Sequence, residues 1–249
     1  LSILDAALLY GAPESPYGTA ATLTRAFEAQ SDPWKRKQNY LESVGMRAGI
    51  QALRSDRTTA INMGAEGSVE LDFLNKGMGL LLKDMFGSTT GPTLVSGITY
   101  DQVHSTTKDG PATSATVQLL KPFVDGSSQA FTYTGCVCTG WELTAEVDKY
   151  LKLKADYDSQ NESTAVGAGT PVYPSSATPF DWTMVSTSTV GGTAIDFKKL
   201  SLKADHKMNV DRRFLKTAGL KKQPRIGSLP EYTGELEAEF FSTAEYARF

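Results

Sequence analysis

The sequence of 249 residues predicts a mainly β, antiparallel fold with one short flanking α-helix. Three observations carry that prediction. From Ala65 to Phe73 apolar and small residues alternate with Glu66, Ser68, Glu70 and Asp72, the period of two of a strand with one buried and one wet face. At Asn75 the period changes, and "NKGMGLLLKDMFG" sets Met78, Leu81, Leu82 and Met85 at helical spacing before a terminating Gly87. Between 93 and 155 four β-like runs follow one another, divided by Gly, Asp and Ser clusters, as in an antiparallel meander. Hydrophobic residues at 40% suffice for a sizeable core, and β-sandwiches and barrels of this length are often undivided, so a single domain spanning 1–249 is expected.

The remaining elements are less patterned. Residues 1–30 contain "GAPESPYGTAATLTRAF", rich in Gly, Pro, Ser and Thr, and read as an extended N-terminal arm. In the polar segment after it, Asp32 can cap and Pro33 can start a short helical turn that Gly45 interrupts. Asp148 and Lys149 fall at hairpin spacing between two alternating runs, without the glycine a type I′ turn prefers. Residues 158–179 are polar, Gly-rich and Pro-rich, a long loop or projecting arm. Strands are expected again in "FDWTMVSTSTV", "DFKKLSLKAD" and "YTGELEAEFFS"; in the last, Leu236, Ala238 and Phe240 alternate with Glu235, Glu237 and Glu239. One basic run, Arg212, Arg213, Lys216, Lys221, Lys222 and Arg225, lies between.

A net charge of −3 gives no basic face for wrapping nucleic acid, and the apolar run Ala6 to Tyr10 is far too short to span a bilayer, so a soluble, unsecreted protein is expected. The two cysteines, Cys136 and Cys138, are spaced i, i+2, where a disulfide would close a strained loop; packed, reduced thiols are expected. A metal site would need further ligands, and His104 and His206 are not in finger-like spacing. Neither histidine accompanies a nucleophile elbow, and "VGAGT" at 166–170 lacks the lysine of a phosphate loop. The carboxylates recur on the wet sides of strands, as solvated faces do, so no enzyme activity, cofactor or metal is expected. The basic run reads as a solvated loop or as a charge partner for acidic rows on a neighbouring copy.

An arm with Glu14, Tyr17, Gly18 and Thr19 leads to Glu42 and Ser43 and then to a strand containing Arg47. With the alternating strand, short helix and later strands read above, this order of pieces resembles the tail tube proteins of siphophages, the long-tailed bacteriophages. "GAEGSVELDFLNKGMGLLLKDMFG" resembles the family's strand running directly into a short apolar helix, and "FTYTGCVCTGWELTAEVDKYLKLKADY" its paired strands. The resemblance implies a β-sandwich or barrel-like subunit of the virion that assembles in the host cytoplasm into hexameric rings, stacked as a hollow tube through which DNA is delivered. It implies contacts with tape-measure, baseplate or tail-tip, and tail terminator proteins. An acidic lumen would repel phosphates, and Glu66, Glu70, Asp72, Glu235, Glu237 and Glu239 are the candidates for its wall. Residues 11–30 and 158–179 would then be arms reaching the next subunit. A virion decoration or receptor-binding β-domain shares these features and is the alternative.

Overall fold

The computed structural model describes residues 6–45, 48–49, 55–107, 110–111, 113–190, 193–215 and 219–239. Its strands are β1 (Ala7–Gly11), β2 (Arg25–Phe27), β3 (Lys35–Glu42), β4 (Thr58–Asp72), β5 (Gly87–Ser96), β6 (Thr99–Thr106), β7 (Ala115–Pro122) and β8 (Ser128–Glu146). They continue with β9 (Lys152–Ser159), β10 (Asn161–Ser163), β11 (Thr189–Val190), β12 (Thr193–Ala194), β13 (Phe197–Asp205), β14 (Met208–Asn209), β15 (Arg225–Ile226) and β16 (Glu231–Ala238). The helix α1 (Gly79–Phe86) joins β4 to β5.

Ten strands form one antiparallel sheet folded over a single long strand, the 19-residue β8. Its first half pairs with β7 and β10, and β7 continues to β1 and β2. Its second half pairs with β9 on one side and β13 on the other, giving the order β16-β13-β8-β9-β4-β3. A register shift between Cys138 and Gly140 marks the crossing. A bulge adds a residue to one strand and bends it, so the two halves can face each other as a sandwich. Cys136, Val137 and Cys138 are all buried at this crossing, where both faces of β8 are covered. Only compact side chains fit there, and both cysteines are free thiols whose burial pushes their pKa up.

Between the halves lies the apolar core, with Tyr10, Trp34, Tyr133, Leu153 and Tyr157 among its members. Trp34 packs its ring 4.7 Å from that of Tyr133 and 6.0 Å from that of Tyr157. It lies directly over Gly67, where any Cβ would overlap the indole. Gly67→Ala is therefore expected to destabilise by about 1–3 kcal/mol through overpacking. Urea unfolding measures it, and an unchanged midpoint would show that the indole is free to shift.

α1 closes the same core. Met78, Leu81 and Met85 are buried, and Gly87 ends the helix at φ 95° with its N–H on the Lys83 carbonyl. The helix stop and apolar stripe match the sequence reading. So does the turn between β8 and β9, where Asp148 takes φ 63° in place of the missing glycine.

Three readings are corrected. Residues 35–42, expected in a helical turn, form strand β3: Lys35 and Lys37 both reach Glu66 across the ladder, and Asp32 pairs with Lys121 at 2.7 Å instead of capping. Strand pairing with β4 overrides the local signal. Within the presumed N-terminal arm, β1 lies inside the sheet between β2 and β7, and Leu8, Leu9 and Tyr10 are buried. "FDWTMVSTSTV" is not one strand: Asp181 caps a 3-10 turn at Trp182–Met184, and only Thr189–Val190 pair. Part of the 158–179 segment contacts its own subunit. Val172 accepts a hydrogen bond from the Ala26 N–H, and Gly169 donates to Gln118. Arg47, Lys216 and Phe240 lie outside the described residues.

Candidate assembly surface

The register places both acidic rows on one face. Glu66, Ser68, Glu70 and Asp72 of β4 stand opposite Asp158, Asp156, Lys154 and Lys152 of β9. Beyond the bulge, Asp156, Lys154 and Lys152 face Gly140, Glu142 and Thr144 of β8, and these face Asp205, Lys203 and Ser201 of β13. Next, Ser201 and Lys199 face Glu235 and Glu237 of β16. Directly opposed residues share a face, so the ladder links the β4 row to the β16 row across four intervening strand junctions. The other face carries Val69, Leu71, Leu153 and Ala155, which are buried in the core.

The charged face is not uniformly acidic. Lys35 pairs with Glu66 at 3.0 Å, Lys203 with Glu142 at 3.1 Å, and Lys207 bridges Asp205 and Glu231 at 2.6 and 3.0 Å. Their lysines hold the Glu66 and Asp205 carboxyls below the usual range; at Glu142, burial pushes upward but Lys203 and Ser201 outweigh it. Asp72 accepts from Gln30, and Glu239 lies 3.5 Å from Lys198. Glu70, Glu235 and Glu237 make no ion pair among the described residues. Carboxylates outnumber lysines on the face as a whole, and its field stays negative.

The face is bounded by two open edges. β3 and β16 each have a single strand partner among the described residues, and each is eight residues long. Their chemistry is opposite: β3 reads KRKQNYLE and β16 reads EYTGELEA. The basic edge of Lys35, Arg36 and Lys37 escaped the sequence reading because Pro33 suggested a helix start. The signal available was the closeness of this basic cluster to a strand-compatible Asn-Tyr-Leu.

The basic run behaves differently. Lys221 is only 5% exposed, and its ammonium lies 2.5 Å from Asp158. Burial raises the Asp158 pKa, with Lys221 opposing it. Arg212 donates to the Gln223 carbonyl, and Arg213 to Asp211 and to the carbonyls of Gly219 and Met63. Lys222 sits 4.7 Å above the Phe214 ring, while Arg225 is exposed on β15. Four of the described residues of the run, Arg212, Arg213, Lys221 and Lys222, are thus engaged within their own subunit. The histidines are also packed: His206 is buried, and His104 shares a 2.8 Å hydrogen bond with Thr89.

A family model described as "Phage tail tube protein" matches residues 4–249. The chain belongs to that family. No protein with a curated description matches it. As a tail tube protein it is a structural component of the phage tail, built to associate with copies of itself into a tube. The geometry agrees with that role: among the described residues, charge is displayed on a broad sheet face and along two edges with a single strand partner each. The phrase that carried part of the sequence resemblance also gains a structural meaning. Glu14 accepts hydrogen bonds from Gly18 N–H, Ser114, Thr116 and Gly135 N–H, and the Tyr17 ring covers Gly135.

Proposed function

We propose that this tail tube protein closes into rings, six copies in each, by pairing β16 of one subunit with β3 of the next, with the charged face turned inward as the wall through which DNA is delivered. The observation that carries the reading is the pair of equal-length, oppositely charged edges bounding one sheet. An open edge leaves backbone N–H and C=O groups unpaired, and ring closure satisfies them as barrel closure does. The sheet has six strands alternating in direction from β3 to β16, so copies related by a ring axis meet antiparallel at the junction. In an antiparallel register that sets Lys35 against Glu237, Lys37 faces Glu235 and the charged face continues unbroken.

That register requires a stagger of roughly eight residues, about 26 Å, over a width of about 28 Å, a strand tilt of roughly 43°. Closed barrels tilt by about 35–45°. The net negative face then repels phosphates, so DNA slides past without specific binding. The tape-measure, tail-tip and terminator proteins would meet the tube along and at the ends of this channel, as in siphophage tails assembled in the host cytoplasm.

Electron microscopy tests the reading. Wild-type protein is expected to form tubes of uniform width, and native mass spectrometry of short assemblies to show multiples of six. Glu235→Lys with Glu237→Lys should abolish tubes while leaving a folded subunit, since exposed charges contribute little to folding. Adding Lys35→Glu and Lys37→Glu should restore them. A quadruple variant that stays monomeric while each double variant polymerises normally would rule the junction out.

A further inference from the structure

We infer that the segments 208–215 and 219–226 form a binding site for a phosphate group, held between Arg212, Lys222 and Arg225. The site stands apart from the ring reading above, since it needs only one copy of the chain.

The two segments are joined at their base by β14 and β15, where Met208 pairs with Ile226 and Asn209 with Arg225. Higher up they are tied twice: the Lys222 N–H donates to the Arg212 carbonyl at 2.9 Å, and Arg212 Nη1 donates to the Gln223 carbonyl at 2.6 Å. Gln160, just past the end of β9, anchors the second segment by donating through Nε2 to the Lys221 carbonyl at 2.7 Å. Three cationic residues from two cross-tied segments thus line one cleft of about 500 Å³, with Tyr17 and Gln160 on its wall. A cleft of this size suits a small ligand.

The cleft differs from the rest of the charged surface in lacking a counter-charge. Among the described residues no carboxylate lines it. Elsewhere neighbouring cations are matched: Lys35 and Lys37 by Glu66, Lys207 by Asp205 and Glu231, and Arg213 by Asp211. Lys221 also lines the cleft, but its charge is neutralised by Asp158, which lines an adjoining hollow instead. Arg212 is engaged by a carbonyl and Lys222 by the Phe214 ring, and neither they nor Arg225 have an ion-pair partner among the described residues. Like charges held around one cleft repel, and an anion between them turns that repulsion into attraction.

Phosphate fits the charge and the donors. It brings about two negative charges and several acceptor oxygens, where a carboxylate has half the charge. Guanidinium groups present their N–H donors as a planar fork that matches its oxygens. In the ring reading the acidic edge β16 is already matched by Lys35 and Lys37, which leaves this cleft for a ligand from outside the chain. Inorganic phosphate and the DNA backbone offer the same chemistry, and contacts to the backbone read no base sequence.

The intact chain is titrated with sodium phosphate against sodium chloride at matched ionic strength, with binding read by calorimetry and by the thermal midpoint. Wild-type protein is expected to bind saturably and to melt higher as the site fills. Lys222→Gln with Arg225→Gln removes two exposed cations and should weaken binding by about tenfold or more, with circular dichroism unchanged. Lys222→Arg with Arg225→Lys should retain binding. Arg57→Gln with Lys76→Gln deletes the same charge elsewhere on the surface and should bind as wild type does. A short DNA duplex that displaces phosphate supports the site with the backbone as a source; a duplex that does not supports it with free phosphate as the ligand. Equal stabilisation of wild type and the Lys222/Arg225 glutamine variant would reflect only exclusion of phosphate from protein surfaces and would overturn the inference. Binding of the β16 peptide EYTGELEA in place of phosphate would overturn it too, assigning the cleft to the acidic edge of another copy. Failure of wild-type protein to form tubes would remove the ring reading and leave a phosphate-binding cleft standing.

Discussion

Glu14→Ala is expected to cost roughly 3–5 kcal/mol of folding stability and to lower the thermal midpoint by about 10 °C. The Glu14 carboxylate is buried and gathers donors from distant parts of the chain: Ser114 at 2.8 Å, Thr116 at 2.7 Å, and the Gly135 N–H at 2.9 and 3.0 Å to its two oxygens. A further bond comes from the Gly18 N–H at 3.0 Å. Each buried donor left without a partner costs about 1–3 kcal/mol. The loop after β1 would keep its backbone bond from residue 14 N–H to the Ser114 carbonyl but lose every side-chain tie in that corner. Glu14→Gln keeps one acceptor but points an amide N–H₂ at donors, so an intermediate loss is expected. Thermal unfolding of both variants checks the order. A loss below about 1 kcal/mol for alanine would mean that water replaces the carboxylate.

The second large effect is a dependence on pH. Asp84 is buried on α1, and burial lifts its pKa from the ordinary 3.8 to about 6, against the opposing hydrogen bonds from Tyr10 and Thr113. Lys83 also lowers it, and Glu14 adds to the upward push. The folded chain therefore binds a proton here that the unfolded chain releases near pH 4. The contribution is fully present below about pH 4 and lost as pH rises to about 6, up to roughly 3 kcal/mol. Glu66, Glu142 and Asp205, whose pKa values are lowered, act in the opposite sense and weaken the fold as pH falls. Comparison with Asp84→Asn isolates the buried group. The variant should gain stability relative to wild type as pH is raised from 4 to 7 in urea titrations, and a constant difference across that range would exclude a shifted Asp84.

Where hydrophobic patterning was strict, the sequence was readable. The β4 alternation from Ala65, the α1 stripe and the Gly87 stop all appear in the fold because local periodicity and tertiary burial favour the same conformation. The charged edge strand was not readable in the same way. β3 has no alternating apolar face, and its conformation is set by pairing with β4, which single-segment propensity does not contain. β1 was hidden for the related reason that it is short and continuously apolar, a pattern that fits any buried segment. Both acidic rows were visible, but their common face was not, because it depends on the register of four intervening junctions and a bulge in β8. The basic run was visible as charge, and its internal use followed only from the position of Asp158 beside Lys221.

The shared strand β8 has a mechanical consequence. If the inner sheet closes into a ring, internal pressure or a passing load pulls along its circumference, and every subunit must hold its inner half to its outer half. In most sandwiches that join depends on side-chain packing, which can shear. Here one continuous backbone runs through both halves and is hydrogen-bonded in each, so sliding them apart requires stretching covalent bonds or unzipping both ladders together. A shared strand thus couples the two halves, and if the tube carries DNA as proposed above, that coupling would help it keep its bore under load.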